Sequence, residues 1–234
     1  MAYWLVKVVL TPLLRLGFRV TCEGRDAVPS RGPVIMASNH RSFVDSLFLP
    51  LTVRRRVTFV AKAEYFESWK TAWFFRAVGM IPLKREGGSA SERALAAARD
   101  VLRGGGVLGI YPEGTRSPDG RLYKGHTGVA RLSIHCGAPV VPVAQLGTSE
   151  VQPIGALWPR LFRPVTVRMG APLHWEGDAA GADPQAYRRF TDEIMGAIQR
   201  LSGQEQASGY ATRDLGRGSA PGSEAEPTVR PATS

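Results

Sequence analysis

Short apolar runs alternate with stretches of helical spacing along most of this chain, and each apolar run gives way abruptly to polar residues. Pro33-Val34-Ile35-Met36-Ala37, Val107-Leu108-Gly109-Ile110-Tyr111, Val140-Val141-Pro142-Val143 and Val165-Thr166-Val167-Arg168-Met169 are too short for helices and read as strands. Between them Ser89-x-x-Glu92 caps an Ala-rich helix that stops at Gly104-Gly105-Gly106, and Lys124 to Cys136 reads as a second helix. Asp183-Pro184 opens a last one, carrying Tyr187, Phe190, Ile194, Ile198 and Leu201 at helical spacing. Such alternation specifies an α/β fold. The expectation is a single domain with a mixed, largely parallel sheet flanked by helices, and 234 residues are enough for a substantial core.

Two of the strand ends carry the chemistry. After Ala37 comes Asn39-His40-Arg41-Ser42-Phe43-Val44-Asp45, with Ser42 onward reading as a helix start, so His40 sits at a strand-to-helix turn that opens on a cleft. Residues five apart on one helix point away from each other. With His40 in the loop and Asp45 in the first helical turn, however, the carboxylate reaches back to one ring nitrogen and leaves the other as a base. Ser42-x-x-Asp45 also fits a capping box with no chemical role. There is no Gly-x-Ser-x-Gly elbow, and Cys22 and Cys136 have no base adjacent in sequence, so the nucleophile is expected to be a hydroxyl of the substrate.

The second strand end, after Ile110, is Tyr111-Pro112-Glu113-Gly114-Thr115-Arg116-Ser117, a loop too polar for a core and rich enough in Gly and Pro for backbone amides to approach a ligand. Arg116 adds a planar fork suited to phosphate, and Arg85, at the end of Gly79-Met80-Ile81-Pro82-Leu83-Lys84-Arg85, adds another from a neighbouring strand. The alternative is a solvated loop with ordinary surface arginines.

A net charge of +10 calls for an acidic partner, and nucleic acid, anionic lipid headgroups, coenzyme A and acyl carrier protein all satisfy it. With no zinc finger, no RNP-like strand and no long basic helix, nucleic acid is set aside, and charge alone does not choose among the others. Two distant cysteines fit a reducing compartment, and His126, His135 and His174 are isolated, so no metal is expected.

In its motifs the chain resembles the glycerolipid acyltransferase family, in particular the 1-acylglycerol-3-phosphate O-acyltransferases. Four blocks match in family order: His40 to Asp45, Gly79 to Arg85, Tyr111 to Ser117, and Val140-Val141-Pro142-Val143, with Tyr111 standing where Phe is usual. The resemblance spans roughly residues 30 to 170. It implies that His40, oriented by Asp45, deprotonates the free hydroxyl of lysophosphatidate, which attacks an acyl thioester directly to give phosphatidate. It implies further that Arg85 and Arg116 hold the substrate phosphate and that Glu113, Gly114 and Thr115 help build the acceptor site. Lys62, with a backbone amide near Gly114, would stabilise the thioester oxyanion. No cofactor is implied, the donor being acyl-CoA or acyl carrier protein. Other readings are a different lysophospholipid or polyol phosphate acceptor, a thioester hydrolase, and a non-catalytic module binding anionic membranes.

Residues 1–20 are rich in Leu, Val, Phe and Trp but are broken by Lys7, Pro12, Arg15 and Arg19, which makes a poor bilayer span and a good interfacial amphipathic helix with its cations on one side. The alternative is a hydrophobic helix packed on the domain. Tyr65 to Phe75, dense in aromatics, lines an acyl groove, meets lipid or packs in the core. The resulting layout is a membrane-associating segment at 1–20, an acyltransferase domain at 21–202 and a disordered tail at 203–234, peripheral or monotopic on the cytoplasmic side of the cell membrane.

Overall fold

The computed structural model describes residues 2–61, 66–67, 72–73, 75–76, 78–82 and 89–212. Seven strands, β1 (Arg19–Glu23), β2 (Val34–Ser38), β3 (Val57–Ala61), β4 (Met80–Pro82), β5 (Val107–Ile110), β6 (Val140–Leu146) and β7 (Pro164–Met169), form one sheet in the order β1-β7-β6-β2-β5-β3-β4. Every neighbouring pair is parallel except β6 and β7. The helices are α1 (Ala2–Gly17), α2 (Asp45–Thr52), α3 (Ala90–Arg103), α4 (Gly128–Cys136), α5 (Thr148–Val151) and α6 (Pro184–Ser202). The chain is thus an α/β domain with a mixed, largely parallel sheet, as its alternation of elements requires.

Central strands of such a sheet are covered on both faces and so read as unbroken apolar runs. Val34, Ile35, Met36 and Ala37 are all fully buried. Val34 and Met36 point into a cluster with Phe48 and Leu49 of α2, against which Val6 and Leu14 of α1 pack. Ile35 and Ala37 point the other way, onto Ala98 and Leu102 of α3, Val129 and Leu132 of α4, and Phe190, Ile194 and Ile198 of α6. Each fully buried side chain of that size contributes about 1.5–3 kcal/mol, several times any difference in helix propensity, so packing rather than propensity holds α6 in place.

The helix boundaries follow local chemistry. Ser89 caps α3 in a full capping box with Glu92, and Asp183 caps α6 by accepting from Ala186 N at 2.6 Å. The helix expected from Lys124 begins only at Gly128. Lys124 N donates to Gly209 O and His126 N to Pro112 O, so those amides hold loops together instead of opening a helix.

Two expectations need correction. Residues 203–212 are not disordered: Leu122 N donates to Glu205 O, Ala207 N donates to Leu122 O, and Gln204 is buried with its side chain bonded to Asn39 and Gly120. Backbone pairing and one buried amide hold this stretch, which is why its lack of large apolar residues misled; residues 213–234 lie outside the described residues. Nor does α1 separate its cations from its apolar residues. Lys7 turns inward, donating to Val53 O and Arg55 O beyond the end of α2, while Trp4, Leu5, Val8, Val9, Leu13 and Leu16 are exposed. Burial holds the Lys7 ammonium down at about 8. The aromatic stretch is described only in part. Phe75 is buried edge-on against Phe43, whereas Trp73 is exposed.

Gly109 lies on β5 where a Cβ would sit 2.4 Å from the ring of Phe59. Phe59 is itself buried, so the ring has little room to withdraw. Gly109→Ala is expected to lower stability by about 1–3 kcal/mol through overpacking, read as a lower urea midpoint at unchanged slope.

Candidate active site

Because β2 and β5 are adjacent and in register, with Ala37 opposite Ile110, the segments leaving their carboxyl ends emerge side by side. In parallel α/β sheets this is where ligands bind. The His40 ring stacks on Tyr111 with centroids 3.8 Å apart and planes 9° from parallel, and Phe59 lies 5.4 Å from the Tyr111 ring.

His40 and Asp45 do meet. Asp45 Oδ2 lies 2.8 Å from His40 Nδ1 and accepts from Arg41 N at 2.7 Å and Ser42 N at 2.8 Å. Residues 41–44 wrap around the carboxylate, so α2 starts at Asp45 rather than at Ser42. The capping-box alternative fails on the same geometry: Val44 is the N-cap, and Ser42 Oγ donates to Gln152 O at 2.7 Å. Against an oxygen that already accepts two amides Nδ1 serves as the donor, which leaves Nε2 as the ring nitrogen without a partner among the described residues. Asp45 is fully buried while the His40 side chain is 17 % exposed, and among the described residues none hydrogen-bonds Nε2. Such an arrangement can act as a base, with one ring nitrogen engaged by a buried carboxylate and the other unengaged by any described residue.

The loop from Tyr111 to Ser117 grips His40 by its backbone. Glu113 accepts from His40 N with Oε1 and from Tyr123 N with Oε2, each at 3.0 Å, and Ser117 N donates to His40 O at 2.7 Å. Glu113 is 1 % exposed, so its carboxylate is a buried clasp between two loops rather than an open contact surface. Burial pushes it up to about 7; the amides of Tyr123 and His40 pull down, the charge of Asp45 pushes up, and Arg41 pulls down. Burial, then the Asp45 charge, also raises the Tyr111 phenol well above its usual value, and its hydroxyl pairs with Ser46 Oγ at 2.9 Å.

Asn39, one residue before His40, is held by Gln145 N, which donates to its Oδ1 at 2.8 Å, and its own Nδ2 donates to Gln204 Oε1 at 2.7 Å. Neither glutamine stands out in the sequence. Gln204 is 165 residues from Asn39, and no local spacing signals such a contact.

Gly114 has φ of +74°, a conformation suited to glycine, and a Cβ there would meet His126 at 3.1 Å. Its amide donates to Tyr111 O and so is already engaged within the turn. Thr115 is half-buried and Arg116 exposed, one residue from the Ser117 contact to His40. Lys62 and Arg85 lie outside the described residues. Among the described residues no three His, Cys, Asp or Glu side chains gather as a metal would need. Both cysteines are free, and burial raises the Cys136 thiol, which makes it a poor nucleophile.

The model of the Acyltransferase family matches residues 19–145. A chloroplastic 1-acyl-sn-glycerol-3-phosphate acyltransferase of Arabidopsis thaliana is 31% identical over 140 residues, 59% of this chain and 39% of that protein. A 1-acyl-sn-glycerol-3-phosphate acyltransferase of Pseudomonas aeruginosa is 27% identical over 219 residues, 87% and 79% of the two chains. The chain thus spans about two fifths of the chloroplastic relative and most of the bacterial one. In structure it is similar to the 1-acyl-sn-glycerophosphate acyltransferase PlsC of Thermotoga maritima, with a TM-score of 0.62, 26% identity, and coverage of 83% and 76%.

The Glu113 clasp has a consequence for stability that needs no substrate. Its folded-state pKa, about 7, lies above the ordinary value of 4.5, so the folded chain binds this proton more tightly than the unfolded one. The contribution is fully present below about pH 4.5, is lost as pH rises through 7, and totals on the order of 3 kcal/mol. Urea unfolding from pH 5 to 8 is expected to show the stability difference between wild type and Glu113→Gln shrinking as pH rises. A difference independent of pH would refute the buried-carboxyl reading.

Proposed function

The chain belongs to the Acyltransferase family, and from that membership we propose that it transfers an acyl chain from a thioester to the free hydroxyl of lysophosphatidate, making phosphatidate. The observation that carries the mechanism is the 2.8 Å contact between His40 Nδ1 and the buried carboxylate of Asp45, which leaves Nε2 without a partner among the described residues, on a side chain that is partly exposed. Nε2 takes the proton of the acceptor hydroxyl as its oxygen bonds to the thioester carbonyl carbon. The tetrahedral intermediate then collapses, the carbon–sulfur bond breaks, and the thiolate leaves with the proton from Nε2. No side-chain nucleophile is needed and no acyl-enzyme forms. Asp45 stabilises the imidazolium between these steps without itself becoming protonated.

Arg116 and Arg85 hold the acceptor phosphate, and Glu113 positions His40 and the Gly114-Thr115-Arg116 turn. Lys62 and a backbone amide of that turn stabilise the oxyanion, and because the Gly114 amide is bonded to Tyr111 O the donor is that of Thr115 or Arg116. Each preorganised donor of this kind is worth roughly 2.7–4 kcal/mol in the transition state. The donor substrate is acyl-CoA or acyl carrier protein and no cofactor takes part. The names of the Arabidopsis, Pseudomonas and Thermotoga proteins all specify this acceptor, and they support it here.

Among the described residues no helix is long and apolar enough to cross a membrane. The exposed apolar face of α1 supports a peripheral or monotopic association in which the helix lies in the interface, on the cytoplasmic side where the thioester donors are. Residues 1–20 are then the anchoring segment, and the catalytic domain begins near residue 21.

Purified protein in anionic vesicles is to be supplied with labelled long-chain acyl-CoA and lysophosphatidate. His40→Ala is expected to reduce phosphatidate formation by about 10²- to 10⁴-fold, and Asp45→Asn to reduce it comparably through the wrong tautomer, with thermal unfolding little changed for His40→Ala. Free fatty acid without acylated lipid would make the chain a hydrolase. Turnover surviving in His40→Ala would remove the base.

A further inference from the structure

Exposed apolar side chains are concentrated in one further place, the connection between α5 and β7. Leu157 and Trp158 are 87% and 83% exposed at its tip, with Leu161 and Phe162 exposed behind them. This connection is well tied at its base: Arg160 N donates to Val151 O at 2.7 Å and Gln152 Nε2 to Ala156 O at 3.1 Å. Phe162 is the one non-glycine residue with positive φ among those described, at 61°, a backbone state that bulky L residues rarely occupy. A connection that is held at its base by hydrogen bonds and still turns Trp, Leu and Phe outward is presenting them.

The neighbours of this loop identify what it is presented to. Phe162 N donates to Gly17 O at 2.7 Å, and a Cβ at Gly17 would meet Leu161 Cδ2 at 3.7 Å, so the loop continues the exposed apolar face of α1 at its carboxyl end. Arg160 and Arg163 are exposed beside the apolar tip, and Arg15 and Arg19 are exposed at the adjoining end of α1, in a chain of net charge +10. Aromatic and aliphatic side chains bordered by arginines match the boundary of an anionic bilayer, where rings sit among headgroups and cations meet phosphates. At its root the same loop touches the site, through Ser42 Oγ donating to Gln152 O at 2.7 Å.

We propose that Ile154–Phe162 is a second membrane-inserting element, which with the outer face of α1 forms one docking surface for an anionic bilayer. Leu157 and Trp158 enter the headgroup boundary, Arg160 and Arg163 pair with lipid phosphates, and the mouth beside His40 is held at the surface. The placement of the mouth rests on the acyltransferase reading; the docking surface itself does not.

The test is binding to sucrose-loaded vesicles of phosphatidylcholine and phosphatidylglycerol, read by sedimentation without any acyl donor or lysolipid. Leu157→Ser/Trp158→Ser, at exposed positions outside the catalytic machinery, is expected to bind at least about tenfold more weakly than wild type with an unchanged circular dichroism spectrum. Arg160→Gln/Arg163→Gln is expected to weaken binding to these vesicles while leaving binding to pure phosphatidylcholine unchanged. Brominated lipid is expected to quench a fluorescence component present in wild type and missing from Trp158→Phe, and this readout decides the matter if the double serine variant does not fold. Wild-type binding by the double serine variant, or no quenching of Trp158, would overturn the proposal. So would a dimer that the variant splits while vesicle binding is unchanged, which would make the face a contact between copies. An inactive protein that binds vesicles and loses that binding with the loop would sink the transferase reading alone.

Discussion

The bond on which the site depends is the one between Glu113 and the backbone of His40. Two strands in register bring two loops to the same end of a sheet, but strand register fixes only where the loops begin. The carboxylate of Glu113, shared between His40 N and Tyr123 N, and the return bond from Ser117 N to His40 O fix how they stand to one another. With both its amide and its carbonyl engaged, His40 has a single backbone position, and its ring is then set by Asp45 on one edge and Tyr111 on one face. An amide side chain could not serve both backbone amides as an acceptor, because it would turn its NH₂ toward one of them. The clasp therefore has to be a carboxyl group, and burying it moves its proton affinity close to neutral pH.

Asp45 faces the same difficulty in sharper form. It is fully buried, and an isolated carboxylate in such a place would be strongly destabilising. Three N–H groups converge on Oδ2 to offset that, while Oδ1 has no partner among the described residues. A helix cap needs no such arrangement, since caps sit at the surface and bond one or two amides of their own helix. The amides here belong to the residues before α2, and the third donor is the imidazole. This concentration of buried polar groups around one ring is the pattern expected where a fold gives up local stability to hold a reactive group.

The short-range part of the site was legible because its members lie within single segments. The His40 to Asp45 spacing, the Pro-Glu-Gly turn and the capping box at Ser89 are statements about residues a few positions apart. The long-range part was not. Asn39 and Gln204 are separated by nearly the whole domain, and a polar residue in a polar stretch carries no periodic signal, so residues 203–212 looked like tail. Lys7 misled for a related reason. Helical spacing assigns a cation to the wet face, but carbonyls at the end of α2 lie within its reach, and only the tertiary fold brings them there. The late start of α4 is the same effect again, with amides at Lys124 and His126 claimed by partners from elsewhere in the chain.

Turning Lys7 inward changes what α1 presents. A helix with cations on its wet face would lie on a bilayer with its apolar side down and leave the domain to one side. In this fold the inner face of α1 packs on α2 and the sheet, and the apolar residues left over face away from the domain. The charge that a membrane surface would meet is moved instead to the rim, at Arg15 and Arg19 where α1 ends and at Arg160 and Arg163 beside it. That rim adjoins the end of the sheet from which His40 emerges, because β1 begins there beside β7 and α1 leads directly into β1. The chain direction that delivers His40 to the carboxyl end of β2 thus also delivers the exposed arginines and the apolar loop to the same end of the molecule.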